Sequence, residues 1–225
     1  MLCALSWSGG KDSALALDRA VGLGHDVRIL FNIYEGNTGR VRFHGVRREL
    51  IQAQAAALGV ELIQRRTHPL DYEAVFLSVL EELSTRGIEA VAFGNIHLTD
   101  IRAWYEERTT AHGFAHVEPL WGTSPKRLLD ELCSRGWRAR IVSVNLELGH
   151  PDWLSREVDA AFAATLQRLP DVDPAGERGE YHSFVFAGPL FPEPVDFAVG
   201  KTFEREGHRI EDLLPVPPAH EAAYG

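Results

Sequence analysis

Short apolar runs and helical stripes alternate along the first two-thirds of the chain. Residues 2–7 are an apolar run, a Gly-Gly turn follows, and residues 13–22 read as a helix. Residues 27–34, Val-Arg-Ile-Leu-Phe-Asn-Ile-Tyr, are rich in strand formers. Val46, Leu50, Ala53 and Ala57 recur at helical spacing, and Gly59 ends that helix. Residues 60–65 predict a third strand. Val75, Phe76, Val79, Leu80 and Leu83 put an apolar stripe on a third helix, and residues 89–94 predict a fourth strand. A helix over 99–112, a strand near 114–118, a helix over 125–135 and a strand at 139–145 complete the series. Such alternation implies right-handed crossovers and a mainly parallel sheet with helices on both faces. Ligands of such sheets bind at the carboxyl ends of the strands, and the first glycine turn lies at one.

After residue 150 the texture changes. A helix over 153–168 precedes a Pro/Asp/Gly stretch from Pro170 to Gly176, two strand-like runs at 182–187 and 195–199, and a proline-rich tail. The expected organisation is an α/β domain over 1–150 with a smaller, mixed C-terminal lobe over 151–225. No internal repeat and no extended low-complexity segment interrupts it.

The sharpest local pattern is Ser8-Gly9-Gly10-Lys11-Asp12-Ser13, between the first strand and the first helix. Gly9 and Gly10 permit positive φ and close backbone approach to an anion. Amides at a helix start, aided by the helix dipole, favour phosphate. Lys11 offers a cation for charge developing on the oxygens, and Ser8 and Ser13 offer hydroxyl donors. Asp12 suits Mg²⁺ or a helix cap. On this reading, replacing Lys11 stops turnover and spares the fold. The spacing excludes the Walker P-loop, which needs four residues between its first glycine and Gly-Lys-Ser/Thr. It equally excludes the GxGxxG dinucleotide fingerprint.

Composition narrows the partners. The 225 residues are 45% hydrophobic and 24% charged, enough for a packed core, and the net charge is -9. An acidic surface argues against coating DNA. Cys3 and Cys133 form no CxxC pair and no zinc spacing, so they read as reduced core thiols in a reducing compartment. The N-terminus lacks a basic n-region, and no stretch approaches the ~20 apolar residues that span a bilayer. The expectation is a cytoplasmic protein without membrane contact. The ten histidines include no HxH or HExxH spacing.

Ser8 to Ser13 resemble the PP-loop of the N-type ATP pyrophosphatases. Phe93-Gly94-Asn95-Ile96, Asp100-Ile101-Arg102-Ala103, Glu118-Pro119-Leu120-Trp121-Gly122, Gly176-Glu177-Arg178-Gly179-Glu180-Tyr181-His182 and Gly188-Pro189-Leu190-Phe191 are similar, in order, to signatures of the diphthine–ammonia ligase family, nearer its bacterial branch. The resemblance implies a HUP-type, Rossmann-like fold, with ATP and Mg²⁺ bound across the strand ends. It implies ATP cleavage to AMP and pyrophosphate while a carboxylate is adenylated, and amidation by ammonia or an ammonia donor. The acceptor is a small molecule or a modified protein side chain, and a homodimer is compatible. Lys11 and Asp12 are the implied catalytic residues, with Asp12 toward the metal. Ser8 to Ser13, Tyr34, Gly94, Asn95 and Ile96 are placed with the nucleotide. Asp100, Glu118, Trp121, Glu177, Glu180 and Tyr181 are placed with the acceptor. The chain departs from the family in having Asn95 where Gly-Asp-Ile is common, and in carrying Arg178 and His182.

Three further readings stay open at this level. The carboxylates of the 177–182 loop suit an ammonium ion, Mg²⁺ or a cationic substrate. The loop from Asn37 to Gly45, with Arg40, Arg42 and His44, suits closure over a triphosphate. The alternatives to an amide-forming ligase are action on another acceptor, thiolation among them, a non-catalytic ATP sensor, and a γ-phosphate kinase. The thiolation route is weakened by two unpromising cysteines, and the kinase by the motif spacing.

Overall fold

Successive residues of a strand face opposite sides of its sheet, and the first strand uses both. In the computed structural model, which describes residues 1–68 and 70–216, Cys3 and Leu5 enter one core cluster and Ala4 the other. Nine elements build this half: β1 (Leu2–Ser6), α1 (Lys11–Gly22), β2 (Asp26–Glu35), α2 (Arg48–Leu58), β3 (Glu61–Thr67), α3 (Tyr72–Thr85), β4 (Ala90–Ala92), α4 (Thr99–Ala111) and β5 (Ala115–Val117). The strands pair in parallel in the order β3-β2-β1-β4-β5. On one face, Leu15 and Leu50 of α1 and α2 pack with Cys3, Leu5 and Leu30. On the other, Phe76, Val79, Leu80 and Leu83 of α3 pack with Ala4, Phe31, Val91 and Phe93. The expected parallel, Rossmann-like sheet with helices on both faces is what forms, and α2 closes at Gly59 in the left-handed conformation, φ 66°.

The second half departs from expectation in three places. After α5 (Pro125–Ser134), the run at 139–145 was expected to extend the parallel sheet. It is β6 (Arg138–Asn145), and it belongs to a second, antiparallel sheet with β7 (Tyr181–Ala187), β8 (Phe197–Arg205) and β9 (His208–Pro215), in the order β7-β6-β9-β8. Its first residues alternate: Arg138 is exposed and Ala139 and Ile141 are buried, the signature of a strand with one wetter face. The helix expected over 153–168 is a 3-10 turn at Pro151–Trp153, then an extended stretch, then α6 (Ala160–Leu166). The backbone of that stretch is drawn to β6 instead: Ser155 donates to Ile141 (2.9 Å) and Val158 to Ala139 (2.8 Å). Asp159 caps α6 by accepting from the Phe162 amide at 2.7 Å.

The third departure is β9, which sequence reading passed over. Its acids are neutralised by cations from elsewhere in the chain: Glu211 pairs with Arg140 (2.6 Å), and Asp212 with Arg40 (2.8 Å) and Arg47 (2.7 Å). The tail expected beyond it lies, from residue 217, outside the described residues. No helix among the described residues is long and apolar enough to cross a membrane.

Candidate functional site

β1 delivers the chain into a turn that two distant elements grip. Gly9 has φ 80°, and a Cβ there would lie 2.5 Å from Ile51 Cδ1 and 2.7 Å from Gln54 Oε1, so only glycine fits. Gln54 of α2, fully buried, donates to the Gly9 carbonyl (3.0 Å) and the Val185 carbonyl (2.6 Å) and accepts from Trp7 Nε1 (2.8 Å). From β7, the Val185 amide donates to the same Gly9 carbonyl (2.8 Å), and the Ser183 hydroxyl accepts from the Lys11 amide (3.2 Å). Within the turn, Ser8 Oγ accepts from the Gly10 amide (3.3 Å), while Ser13 Oγ donates to the Gly10 carbonyl (2.9 Å). Gly94, just past β4, closes the opposite wall. A Cβ on it would sit 3.0 Å from the Asp12 carbonyl carbon and oxygen, so backbone meets backbone there. A turn held this way needs little reorganisation when an anion arrives.

Lys11 does not point where its motif suggests. The side chain is buried, 4% exposed, with Nζ bonded to Asp12 Oδ2 (2.8 Å) and to the Ala175 carbonyl, 5.0 Å from the centre of the Tyr181 ring. Burial disfavours the ammonium, but Asp12, Tyr181 and Glu177 outweigh it and hold the Lys11 pKa above its ordinary value. Asp12, Ser8 and Ser13 line the open cleft; Lys11 anchors loop 173–177 against the turn from behind. The expectation that Lys11 acts without shaping the fold is therefore revised.

The cleft over the turn encloses about 350 Å³ and runs beside a second hollow of about 380 Å³ that shares Ser6, Ser8, Phe43, His44, Tyr105 and His182. Gly94, Asn95 and Glu177 border it. Glu177 accepts from the Ile96 amide (2.9 Å), and burial together with the Asp12 charge raises its pKa to about 6. Asn95 Nδ2 donates to Glu118 Oε1 (2.7 Å), which also receives His116 Nε2 (3.0 Å). Glu118 is thus a buried brace for Asn95. Trp121 stacks under the Arg102 guanidinium, 4.6 Å from its ring centre.

Four other expected residues stand away from the cleft. Tyr34 lies in a separate hollow, where its hydroxyl accepts from Arg48 (3.0 Å). Asp100 is exposed in the first turn of α4. Glu180 accepts from the Asp173 amide (2.7 Å), and the Tyr181 hydroxyl donates to the Pro174 carbonyl (2.8 Å), so both shape the loop behind Lys11. Of the Asn37–Gly45 loop, Arg40 is spent on Asp212 and on the Gly45 carbonyl (2.7 Å), while Phe43 and His44 line the cleft.

Sequence reading missed His182 as a cleft residue and its contact with His44. Their rings are 4.5 Å apart. Burial, reinforced by the Lys11 charge, depresses the His44 pKa to about 4, and burial with His44 alongside drives His182 well below its usual value. Both imidazoles are neutral at pH 7, giving the cleft an aromatic wall. No triad of His, Cys, Asp or Glu with metal-holding geometry occurs among the described residues. Asp12 with Glu177 nearby fits a Mg²⁺ that arrives on phosphates, since that ion is commonly held by one or two carboxylates plus phosphate oxygens.

Comparisons with known proteins agree along the chain. The diphthamide synthase N-terminal domain family matches residues 1–115 and the diphthamide synthase C-terminal domain family residues 124–213. The diphthine–ammonia ligase of Schizosaccharomyces pombe (strain 972 / ATCC 24843) is 26% identical over 213 residues, covering 84% of this chain and 34% of its own. The diphthine–ammonia ligase of Danio rerio is 26% identical over 217 residues, covering 84% of this chain and 83% of its own. The chain therefore spans about a third of the yeast relative's length. A solved structure titled as a predicted subunit of tRNA methyltransferase from Methanocaldococcus jannaschii aligns over 95% of this chain and 97% of its own, at 18% identity and a TM-score of 0.41. With both domain families matched in order over most of its length, the chain belongs to the diphthamide synthase family.

Proposed function

We propose that the protein is an ATP-dependent ligase of the diphthine–ammonia ligase type, binding ATP on the parallel-sheet half and its acceptor against the antiparallel lobe that begins with β6. The observation that carries this is the Ser8–Ser13 turn, clamped by Gln54, Val185 and Ser183 with Asp12 facing the cleft. The names of the two relatives support the same reading. An acceptor carboxylate oxygen attacks the α-phosphorus; the new P–O bond forms as the α–β bridging bond breaks, and pyrophosphate leaves. The lone pair of ammonia then attacks the acyl carbon, the C–O bond to AMP breaks, and the nitrogen sheds a proton to leave the amide.

The chain's own residues supply positioning and charge. The turn's backbone and the Ser8 and Ser13 hydroxyls orient the phosphates, and the Lys11–Asp12 pair keeps a fixed dipole behind them. Asp12 would hold Mg²⁺ together with phosphate oxygens, and the ion would offset charge on them. Nitrogen is favoured over sulfur as the nucleophile. Burial raises the Cys3 pKa to about 11 and also raises that of Cys133, so neither offers a thiolate.

The test is the nucleotide product. Purified protein is incubated with ATP, Mg²⁺ and an acceptor-containing lysate fraction, with ¹⁵N-ammonium to mark the amide by mass spectrometry. AMP and pyrophosphate in equal amounts are expected; ADP would overturn the reading.

A further inference from the structure

One wall of the cleft is mostly apolar. Phe93, Leu98, Ile101 and Tyr105 line it, and the Tyr105 hydroxyl is taken up with that of Tyr72 (2.8 Å). Asn95 stands among them. Its amide has a fixed direction. Glu118 Oε1 lies 2.7 Å from Asn95 Nδ2 and 3.0 Å from His116 Nε2, and a carboxylate oxygen can only accept. The Asn95 amide nitrogen is therefore turned to Glu118, and Oδ1 is left for the cleft. Oδ1 accepts no hydrogen bond among the described residues and, unlike Glu118 Oε2, is not sealed from solvent. The aiming parts are buried: the His116 and Glu118 side chains are 4% and 3% exposed. His116 Nδ1 meets the Thr109 hydroxyl (3.1 Å), and its ring stacks on Phe93, 5.2 Å between centres. From α4, Arg102 Nε stands 3.6 Å from Glu118 Oε2. Turning the Asn95 amide over would set its carbonyl oxygen against the carboxylate, so one orientation holds.

A site with apolar walls gains its specificity from a few placed polar atoms. Asn95 Oδ1 is a neutral acceptor. Phosphate oxygens are acceptors too, so Oδ1 has nothing to offer the nucleotide's tail. The nucleoside part does carry donors: the 2′- and 3′-hydroxyls of the ribose and the exocyclic amine of the base. We propose that Asn95 is a specificity residue whose Oδ1 takes one of these O–H or N–H donors, and that Glu118 and His116 are positioning residues that aim it. This rests on the ATP reading above. The chemistry is one neutral hydrogen bond, whichever of the donors supplies it.

The test reads binding. Calorimetry compares ATP with 2′-deoxyATP, 3′-deoxyATP and purine riboside triphosphate, each lacking one donor. One analogue is expected to bind the parent about three- to tenfold more weakly than ATP, which names the donor. Asn95→Leu should bind ATP as weakly as the parent binds that analogue, with no preference between the two. Analogues that all bind like ATP, or a preference that survives in Asn95→Leu, would overturn the assignment. Aiming is read separately, by melting without nucleotide. Asn95→Asp sets two carboxylates against each other where Asn95 now donates, and the melting temperature should fall by at least about 4 °C. Adding Glu118→Gln supplies a donor again, so the double variant should regain both the melting temperature and the preference for ATP. A double variant with only the sum of the single losses would refute the aiming. If Asn95→Asp does not fold, Glu118→Gln alone is read: the Asn95 amide loses its fixed direction and the preference should shrink, and an undiminished preference would refute the aiming. AMP formation with all analogues bound like ATP sinks the role of Asn95 alone; the preference without AMP formation leaves that role and sinks the ligase reading.

Discussion

Replacing Lys11 should damage the fold as well as the chemistry, which the motif alone does not suggest. In Lys11→Ala the ammonium vanishes from between Asp12 Oδ2, 2.8 Å away, and the Ala175 carbonyl. Breaking a buried pair costs about 3–5 kcal/mol when both partners are sealed from water. Asp12 keeps 34% side-chain exposure, so water recovers part of the loss and the lower end, about 3 kcal/mol, applies. For a chain of this size each kcal/mol moves the melting point by about 2–4 °C, giving a fall of about 6–12 °C. The assay is thermal unfolding without nucleotide, beside AMP production. Lys11→Met, which refills the space without the charge, should recover part of the melting loss and none of the turnover. Lys11→Ala melting within about 2 °C of the parent would refute the clamp; undiminished AMP production would refute the chemical role.

Other expectations follow from the same geometry. Gly94→Ala forces a Cβ to 3.0 Å from the Asp12 backbone, so the cleft walls must part by tenths of an ångström; a stability loss of about 1–3 kcal/mol and a fall in turnover of more than tenfold are expected, read by denaturant melts and AMP assay. Gln54→Leu leaves the Trp7 indole N–H without its partner and frees the Gly9 carbonyl from one of its two donors, so nucleotide affinity measured by calorimetry should drop while α2 keeps its helicity. Glu177 has a folded pKa of about 6, above the ordinary 4.5, so its contribution to stability is full below pH 4.5 and lost as pH rises through 6. Glu177→Gln should therefore gain in melting temperature relative to the parent between pH 4.5 and 6.5, and equal losses in both would contradict it. His44, depressed to about 4, contributes stability above pH 6.5 that disappears as pH falls through 4; His44→Gln should flatten that acid limb in urea melts.

The parallel half was legible because periodicity 3.6 and short β-rich runs are local signals. β6 misled because Ile141, Val142 and Val144 read like another buried parallel strand; only its partners reveal the second sheet. β9 was hidden by Glu211 and Asp212, whose neutralisation by Arg140, Arg40 and Arg47 is a tertiary fact. The turn was legible because its six residues are contiguous. Its clamps were not: Gln54 lies 45 residues from Gly9 and Val185 lies 131 from Gln54, and neither carries a spacing to notice. The inward course of Lys11 depends on Ala175 and Tyr181, which no inspection of residues 8–13 can supply.

On the proposed function, the nucleotide's phosphates sit on the clamped turn. A crystal structure with an ATP analogue carrying a methylene between the α- and β-phosphorus atoms tests it most directly. Phosphate oxygens are expected within about 3 Å of the Gly9–Ser13 amides and the Ser8 hydroxyl, with Gly94 alongside. Phosphates bound instead in the arginine-lined hollow beside Tyr34, with the turn vacant, would contradict it.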